Sequence, residues 1–219
     1  MTGDPLPVRD LLTLLHAALG ETPVWPARTP FEYVCGIVLV QNTAWTNVER
    51  ALALLWEATG FEADRLLRLT DTELTALIRP AGFMRAKSRA LRAFAAWMLS
   101  ADGKAAVELD DDALRAALLS LPGIGPESAD VAALMVYGRR RFIFDAYGRR
   151  LLRQAGYAVG HDYETTRKAL ESHIDAEGLS HAELVDLHGL IIEAGKRARA
   201  AGGWEAYGPT IGIAVARPR

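Results

Sequence analysis

The sequence predicts an all-α protein, on three observations. Apolar residues recur three and four apart along nearly the whole chain, strand-like alternation is almost absent, and helix-starting residues and glycines interrupt the runs at short intervals. At 219 residues, 50% hydrophobic and 24% charged, the chain can build one large or two small domains with buried cores.

The helical runs follow one another in order: LLTLLHAAL, FEYVCGIVLV, VERALALLWEAT, TELTALI, KSRALRAFAAWML, DALRAALLSL, ESADVAALMVYG, GRRLLRQAG, TTRKALESHI and ELVDLHGLIIEAGKRARA. Each carries an apolar stripe at helical spacing. Asp110 to Asp112, Pro126, and Thr165 with Thr166 read as helix starts, and Gly82, Gly138, Gly156 and Gly202 as stops or turns. No fixed-period repeat and no low-complexity tract interrupts the series.

Composition narrows the function classes. No run reaches the roughly 18 apolar residues of a membrane span, and MTGDPLPVRDLL lacks the basic-then-apolar pattern of an export signal. Cys35 is the only cysteine and sits in the apolar run FEYVCGIVLV, which predicts a buried small hydrophobe and leaves no thiols for an internal disulfide. The histidines His16, His161, His173, His181 and His188 show no metal-ligand spacing, so no metal site is expected, and His188 reads as a hydrogen-bonded structural residue.

The formal net charge is only −2, but the charges are segregated. Residues 79 to 92 carry Arg79, Arg85, Lys87, Arg89 and Arg92 without an acid, and residues 139 to 153 carry Arg139, Arg140, Arg141, Arg149, Arg150 and Arg153 against Asp145 alone. One such run is an ordinary solvated face; two that flank a glycine turn suggest a polyanion. That turn is LPGIGPESAD, residues 121 to 130. Gly123 and Gly125 permit a tight hairpin between helices. The helix that starts at Pro126 brings its N-terminal amides to the same place, a concave positive end suited to a phosphate oxygen. Taken alone, the turn is equally well a plain helix connection.

The order of several motifs is more specific. LPGIGPESAD followed after a helix by FIFDAYGRR resembles the helix-hairpin-helix, Gly-Pro-Asp signature of the endonuclease III superfamily of DNA glycosylases. WPARTPFEYVCGIVLVQNTAWTNVERAL is similar to the superfamily's pocket and wedge region, AGFMRAKSRAL to its second DNA-contacting loop, and LHGLIIEAGKRARA to the helix that leads into a cluster-binding tail. The resemblance is strongest to the endonuclease III-type 3-methyladenine glycosylases, through Trp25 and Pro26, through Gln41, Asn42, Thr43 and Trp45, and through Gly123 to Asp130. Val24 departs from that branch, which has tryptophan there, and less aromatic surface would then face the base.

The resemblance implies a two-domain all-α fold with the active-site cleft between the domains: a six-helix bundle over 23–128 that ends in the hairpin, and a second domain from 1–22 plus 129–219. Asp145 would be the catalytic carboxylate. Read from the residues alone it is an N-cap, and both can hold, since helix-end amides aim a carboxylate. Glu127 stands where bifunctional members carry the lysine nucleophile, and a carboxylate cannot form an imine. Lys87 and Lys196 are the candidates for a displaced amine, though both read as surface lysines.

Gln41 and Phe83 would be wedges that fill the gap left by the flipped nucleotide, and Trp25, Pro26 and Trp45 would wall the base pocket. Gly123, Ile124, Gly125, Glu127, Ser128, Arg85, Lys87, Arg149 and Arg150 would meet the DNA backbone. Trp56 and Trp97 match no pocket motif and are assigned to packing. The tail AGGWEAYGPTIGIAVARPR offers no cysteine, so no iron–sulfur cluster is expected, with Trp204, Tyr207 and IGIAV closing the domain instead. The resemblance admits a monovalent cation at the hairpin.

The resemblance, with Glu127 in the lysine's place, implies a monofunctional DNA glycosylase of base excision repair. It would act on alkylated, 3-methyladenine-type purines in double-stranded DNA, as a cytoplasmic, nucleoid-associated monomer. The alternatives are an endonuclease III-like enzyme for oxidised pyrimidines or another lesion, with or without a lyase step, and a non-catalytic damage-binding protein.

Overall fold

A computed structural model describes residues 4–21 and 25–213. Val24 and the IGIAV stretch beyond Ile213 lie outside the described residues. Thirteen α-helices and three 3-10 turns are found among the described residues, with no strand. In chain order the helices are α1 (Val8–Leu19), α2 (Pro30–Leu39), α3 (Trp45–Thr59), α4 (Ala63–Arg68), α5 (Asp71–Leu77), α6 (Met84–Leu99), α7 (Ala101–Ala105), α8 (Asp111–Leu119), α9 (Pro126–Met135), α10 (Ala146–Gln154), α11 (Tyr163–Asp175), α12 (His181–Ala200) and α13 (Trp204–Tyr207).

The chain divides into two compact units, a central one of Ala27–Arg139 and a terminal one of Met1–Pro26 with Arg140–Arg219. The expected boundary at 128/129 would cut α9 in two. Buried Ala129, Ala132 and Leu134 bind that helix into the central unit, so the division follows Arg139 instead. The other boundary falls after Pro26 rather than residue 22.

In the central unit α2 is apolar almost all round, and Phe31, Val34, Cys35, Ile37, Val38 and Leu39 are buried. A helix without a polar face has to be enclosed. α3, α6 and α9 pack on it. Its start is set by Thr29, whose hydroxyl accepts from the Glu32 amide at 3.1 Å, followed by Pro30 at the first helical position. α5 opens with a Thr70–Glu73 capping box, and α8 with Asp110, which accepts from the Ala113 amide at 2.7 Å. Arg115 on α8 and buried Asp130 on α9 form a two-pronged ion pair at 2.8 and 3.3 Å that ties the arms of the hairpin.

The terminal unit joins the chain's two ends by packing α1 and α10 on α12. Pro7 gives α1 no side-chain cap, and Glu177 supplies one from far along the chain by accepting from the Val8 and Arg9 amides at 2.9 and 2.8 Å. α11 starts at Tyr163 from an Asp162 cap, slightly before the expected Thr165–Thr166 start. Thr165 serves as the return partner of that capping box. Trp204 is buried, and the Gln154 side chain donates to the Ile213 carbonyl at 3.0 Å, which secures the described part of the tail. No described helix is long and apolar enough to cross a membrane.

Candidate active site

The hairpin lies between α8 and α9 and uses its two glycines differently. Gly123 has φ +84°, and a Cβ there would stand 2.9 Å from the Ala90 Cβ on α6, so conformation and space both require glycine. Gly125 has φ −93°, which any residue adopts, and an added Cβ would meet nothing within 4 Å. Nothing within the fold calls for glycine at 125, and the approach to the start of α9 is open. That helix has no side-chain cap, with Pro126 at its first position and Glu127 in its first turn. Two of the expected backbone contacts already have partners within the fold. Ile124 is buried and its amide donates to the Leu121 carbonyl at 3.1 Å, while the buried Ser128 hydroxyl accepts from the Gln41 side chain at 3.3 Å.

The segment after α2 carries Gln41, half-buried, with its amide also 3.4 Å from the Ile37 carbonyl. Asn42 follows with φ 55°. On the far side of a 3-10 turn (Arg79–Ala81), Phe83 is 68% exposed and holds φ 49°. A left-handed phenylalanine that faces solvent gains little from burial, so it is not the core aromatic that a hydrophobic residue there would suggest.

Lys87 was expected at the DNA backbone and is instead buried. Its Nζ donates to the Leu39 carbonyl at 2.9 Å and the Ala81 carbonyl at 2.8 Å, and burial pushes the ammonium below the ordinary lysine range. A signal for this was present in the sequence: Lys87, Ala90, Leu91 and Phe94 share one stripe of α6, and the other three are buried. Arg85 is exposed and, with Arg89 and Arg92, lines a groove between α5 and α6.

In the terminal unit Asp145 is the N-cap of α10, 8% exposed, and its Oδ1 accepts from the Gly148 amide at 2.6 Å. The buried run Phe142, Ile143 and Phe144 delivers it there. The Phe144 carbonyl accepts from Arg149 at 3.3 Å, and Arg150 is exposed and stacks on Tyr147 at 4.8 Å. A Cβ on Gly195 of α12 would lie 2.2 Å from the Tyr147 ring, so α12 meets the start of α10 closely. His188 on α12 departs from expectation: its Nδ1 is buried without a hydrogen-bond partner among the described residues. Burial lowers its pKa against the opposing pull of Asp145.

Half of the second basic run is structural. Arg139 donates to the Val107 and Leu109 carbonyls at 2.7 and 2.8 Å, Arg140 to the Leu179 carbonyl at 2.8 Å, and buried Arg141 pairs with Glu171 at 2.8 Å. Of the proposed pocket residues, Trp45 opens α3 at 37% exposure, Trp25 is half-buried and Pro26 exposed. Trp56 is not a packing residue alone, being 41% exposed under the Arg28 guanidinium, 4.3 Å from its ring. Trp97 packs edge-on against Phe94 and Tyr137. No group of three or more metal-ligating side chains is found among the described residues.

The chain is similar to known DNA repair proteins. A Methanocaldococcus jannaschii protein assigned, by its name, to the DNA repair glycosylases is 34% identical over 183 residues, 81% of this chain and 82% of the relative. The crystal structure of H. pylori 3-methyladenine DNA glycosylase, bound to ethenoadenine, superposes with a TM-score of 0.71 at 25% identity, covering 88% of this chain and 98% of that one. A trapped endonuclease III–DNA covalent intermediate superposes with a TM-score of 0.69 over 88% of this chain and 86% of that one, and at 20% identity that likeness is one of fold. The model of the HhH-GPD superfamily of base excision DNA repair proteins matches residues 35–176, a span that includes Gln41, Phe83, the hairpin and Asp145. The chain belongs to the HhH-GPD superfamily of base excision DNA repair proteins.

Proposed function

We propose that this DNA glycosylase of the HhH-GPD superfamily is monofunctional. It turns a damaged, alkylated purine of the 3-methyladenine type out of double-stranded DNA, hydrolyses the N-glycosidic bond and leaves an abasic site. The observation that carries the reading is Glu127, a carboxylate two residues beyond the last hairpin glycine, where bifunctional relatives hold the attacking amine. The chain's four lysines offer no evident replacement. Lys87 is bound to two main-chain carbonyls, Lys196 lies on an exposed face 3.8 Å from Glu193, and Lys104 and Lys168 are exposed on α7 and α11.

In this reading Gly125 and the start of α9 receive a backbone phosphate, with Arg85, Arg149 and Arg150 as further phosphate contacts. Gln41 and Phe83 fill the space vacated by the nucleotide, and extrusion from the stack costs a few kcal/mol. Trp25, Pro26 and Trp45 stack on the base. The Asp145 carboxylate, aimed by the Gly148 amide, faces the positive charge that develops on the sugar and guides water to it. A cationic alkylpurine is already a good leaving group, so departure needs no acid. The likeness to H. pylori 3-methyladenine DNA glycosylase supports the alkylpurine assignment, and membership of a base excision DNA repair superfamily supports DNA as the partner. The protein works as a monomer without an iron–sulfur cluster, and the hairpin admits a monovalent cation.

The test is base release from duplexes that each carry one lesion, run with and without borohydride and with heat cleavage of abasic sites. Release of 3-methyladenine with heat-dependent cleavage and no trapped enzyme is expected. Borohydride-trapped enzyme on an oxidised pyrimidine overturns the monofunctional reading. Tight duplex binding with no release of any base makes the protein a damage binder.

A further inference from the structure

Lys87 is a charged residue where an apolar one would pack. It occupies the buried stripe of α6, 5% exposed, in register with Ala90, Leu91 and Phe94. A buried ammonium is costly unless its donors are met, and an apolar side chain is the ordinary occupant of such a stripe, so packing alone does not explain the charge there. Its partners do. Nζ donates to the carbonyl of Leu39, the last residue of α2 and two residues before Gln41, and to that of Ala81, two residues before Phe83. The Phe83 ring lies 5.9 Å from the same nitrogen.

Both segments that the ammonium grips carry backbone strain. Positive φ at a non-glycine residue occurs at three described positions, and two of them, Asn42 and Phe83, lie within three residues of the two gripped carbonyls. Such conformations persist only where surrounding contacts over-determine them. The third, Phe61, is buried and needs no such clamp.

We propose that Lys87 is a positioning residue: one ammonium that clamps the Gln41 and Phe83 segments together and sets the separation at which the two wedges enter a duplex. The proposal rests on the wedge reading given above. It implies that Gln41 and Phe83 act as one device, so that loss of the clamp and loss of a wedge have overlapping effects.

The experiment uses two duplexes, one that carries a tetrahydrofuran abasic site with aminopurine opposite, whose fluorescence rises as a wedge unstacks it, and one that carries a single 3-methyladenine for base release. Wild type, Lys87→Met, Lys87→Gln, Gln41→Ala, Phe83→Ala and the Lys87→Met/Phe83→Ala double variant are compared in fluorescence, thermal midpoint and single-turnover base release. Lys87→Met is expected to lose the fluorescence rise and to release base roughly a hundredfold more slowly, the scale of an ångström-level misplacement. Its thermal midpoint should fall, because two buried carbonyls lose their donor, but the protein should stay folded at the assay temperature, and Lys87→Gln, which keeps two donors, should recover part of the signal. The double variant should be no worse than the poorer single variant.

A full fluorescence rise in Lys87→Met, or fully additive losses in the double variant, overturns the clamp. So does failure of both Lys87 variants to fold, which would make the residue one of stability. If Gln41→Ala and Phe83→Ala both keep the full rise, the wedge reading itself fails.

Discussion

The Gly148 amide donates to Asp145 Oδ1 at 2.6 Å, and a Cβ on Gly148 would stand 2.6 Å from the Ile143 carbonyl and 3.3 Å from that same Oδ1. One glycine thus allows the carboxylate to cap α10 and keeps its position. Asp145→Asn preserves a capping acceptor and removes the charge. Base release should fall about 10²–10³-fold, the scale for loss of one aligned electrostatic group, with the thermal midpoint nearly unchanged. Gly148→Ala should cost about 1–3 kcal/mol in urea denaturation and lower activity too, because the added methyl displaces the aspartate.

The hairpin glycines should separate in mutagenesis. Gly123→Ala places a methyl at 2.9 Å from Ala90 in a left-handed backbone and should destabilise the fold by about 1–3 kcal/mol. Gly125→Ala meets open space and should leave stability unchanged while it weakens DNA binding about tenfold, the value of a blocked hydrogen bond to a charged group. Paired unfolding and salt-titrated binding curves distinguish the two, and equal affinity in Gly125→Ala would remove the hairpin from the DNA interface.

Phe83 sets stability against function. It is 68% exposed at φ 49°, so Phe83→Gly forfeits little burial and relieves a left-handed backbone. A gain of about 1 kcal/mol in folding stability is expected together with a loss of base release. A stability loss would mean that the ring packs more than its exposure suggests.

The Arg115–Asp130 pair should behave as a buried ion pair, with side-chain exposures of 11% and 1%. Asp130→Ala leaves the guanidinium without that partner between the arms of the hairpin and should cost about 3–5 kcal/mol, measured by urea denaturation.

Acid should loosen the terminal unit through its caps. The Ser180 amide and hydroxyl, with Arg9, lower the Glu183 pKa from 4.5 to about 2. A depressed carboxyl contributes its stability in full above 4.5 and loses it as pH falls toward 2. Glu183→Gln keeps the capping geometry without the titration, so its thermal midpoint should fall less steeply than wild type across that window.

Much of this was legible in the sequence because it depends on neighbours a few residues apart. Helical spacing, the Asp110 and Pro126 starts, the glycine hairpin and the Asp145 cap are local, since helix periodicity and capping act over three or four positions. The ordered motifs supplied the rest of the local layout, including Glu127 in the lysine's place.

Tertiary structure decided what the long side chains do. Lys87 and Arg139 to Arg141 form part of basic runs on paper, but a lysine or arginine reaches far enough to find a carbonyl or carboxylate from another element. Packing, which brings Leu39 and Ala81 to one ammonium and Glu171 to Arg141, turns those charges inward. Phe83 is the converse case: it was expected as a wedge, and the left-handed backbone after Gly82 leaves its ring exposed. Sequence alone determined the all-helical class, most of the helical runs, the Asp110 and Asp145 caps and the candidate carboxylates. Which charged and aromatic side chains remain available to a partner depended on contacts between elements distant in the chain, and only the folded structure holds those.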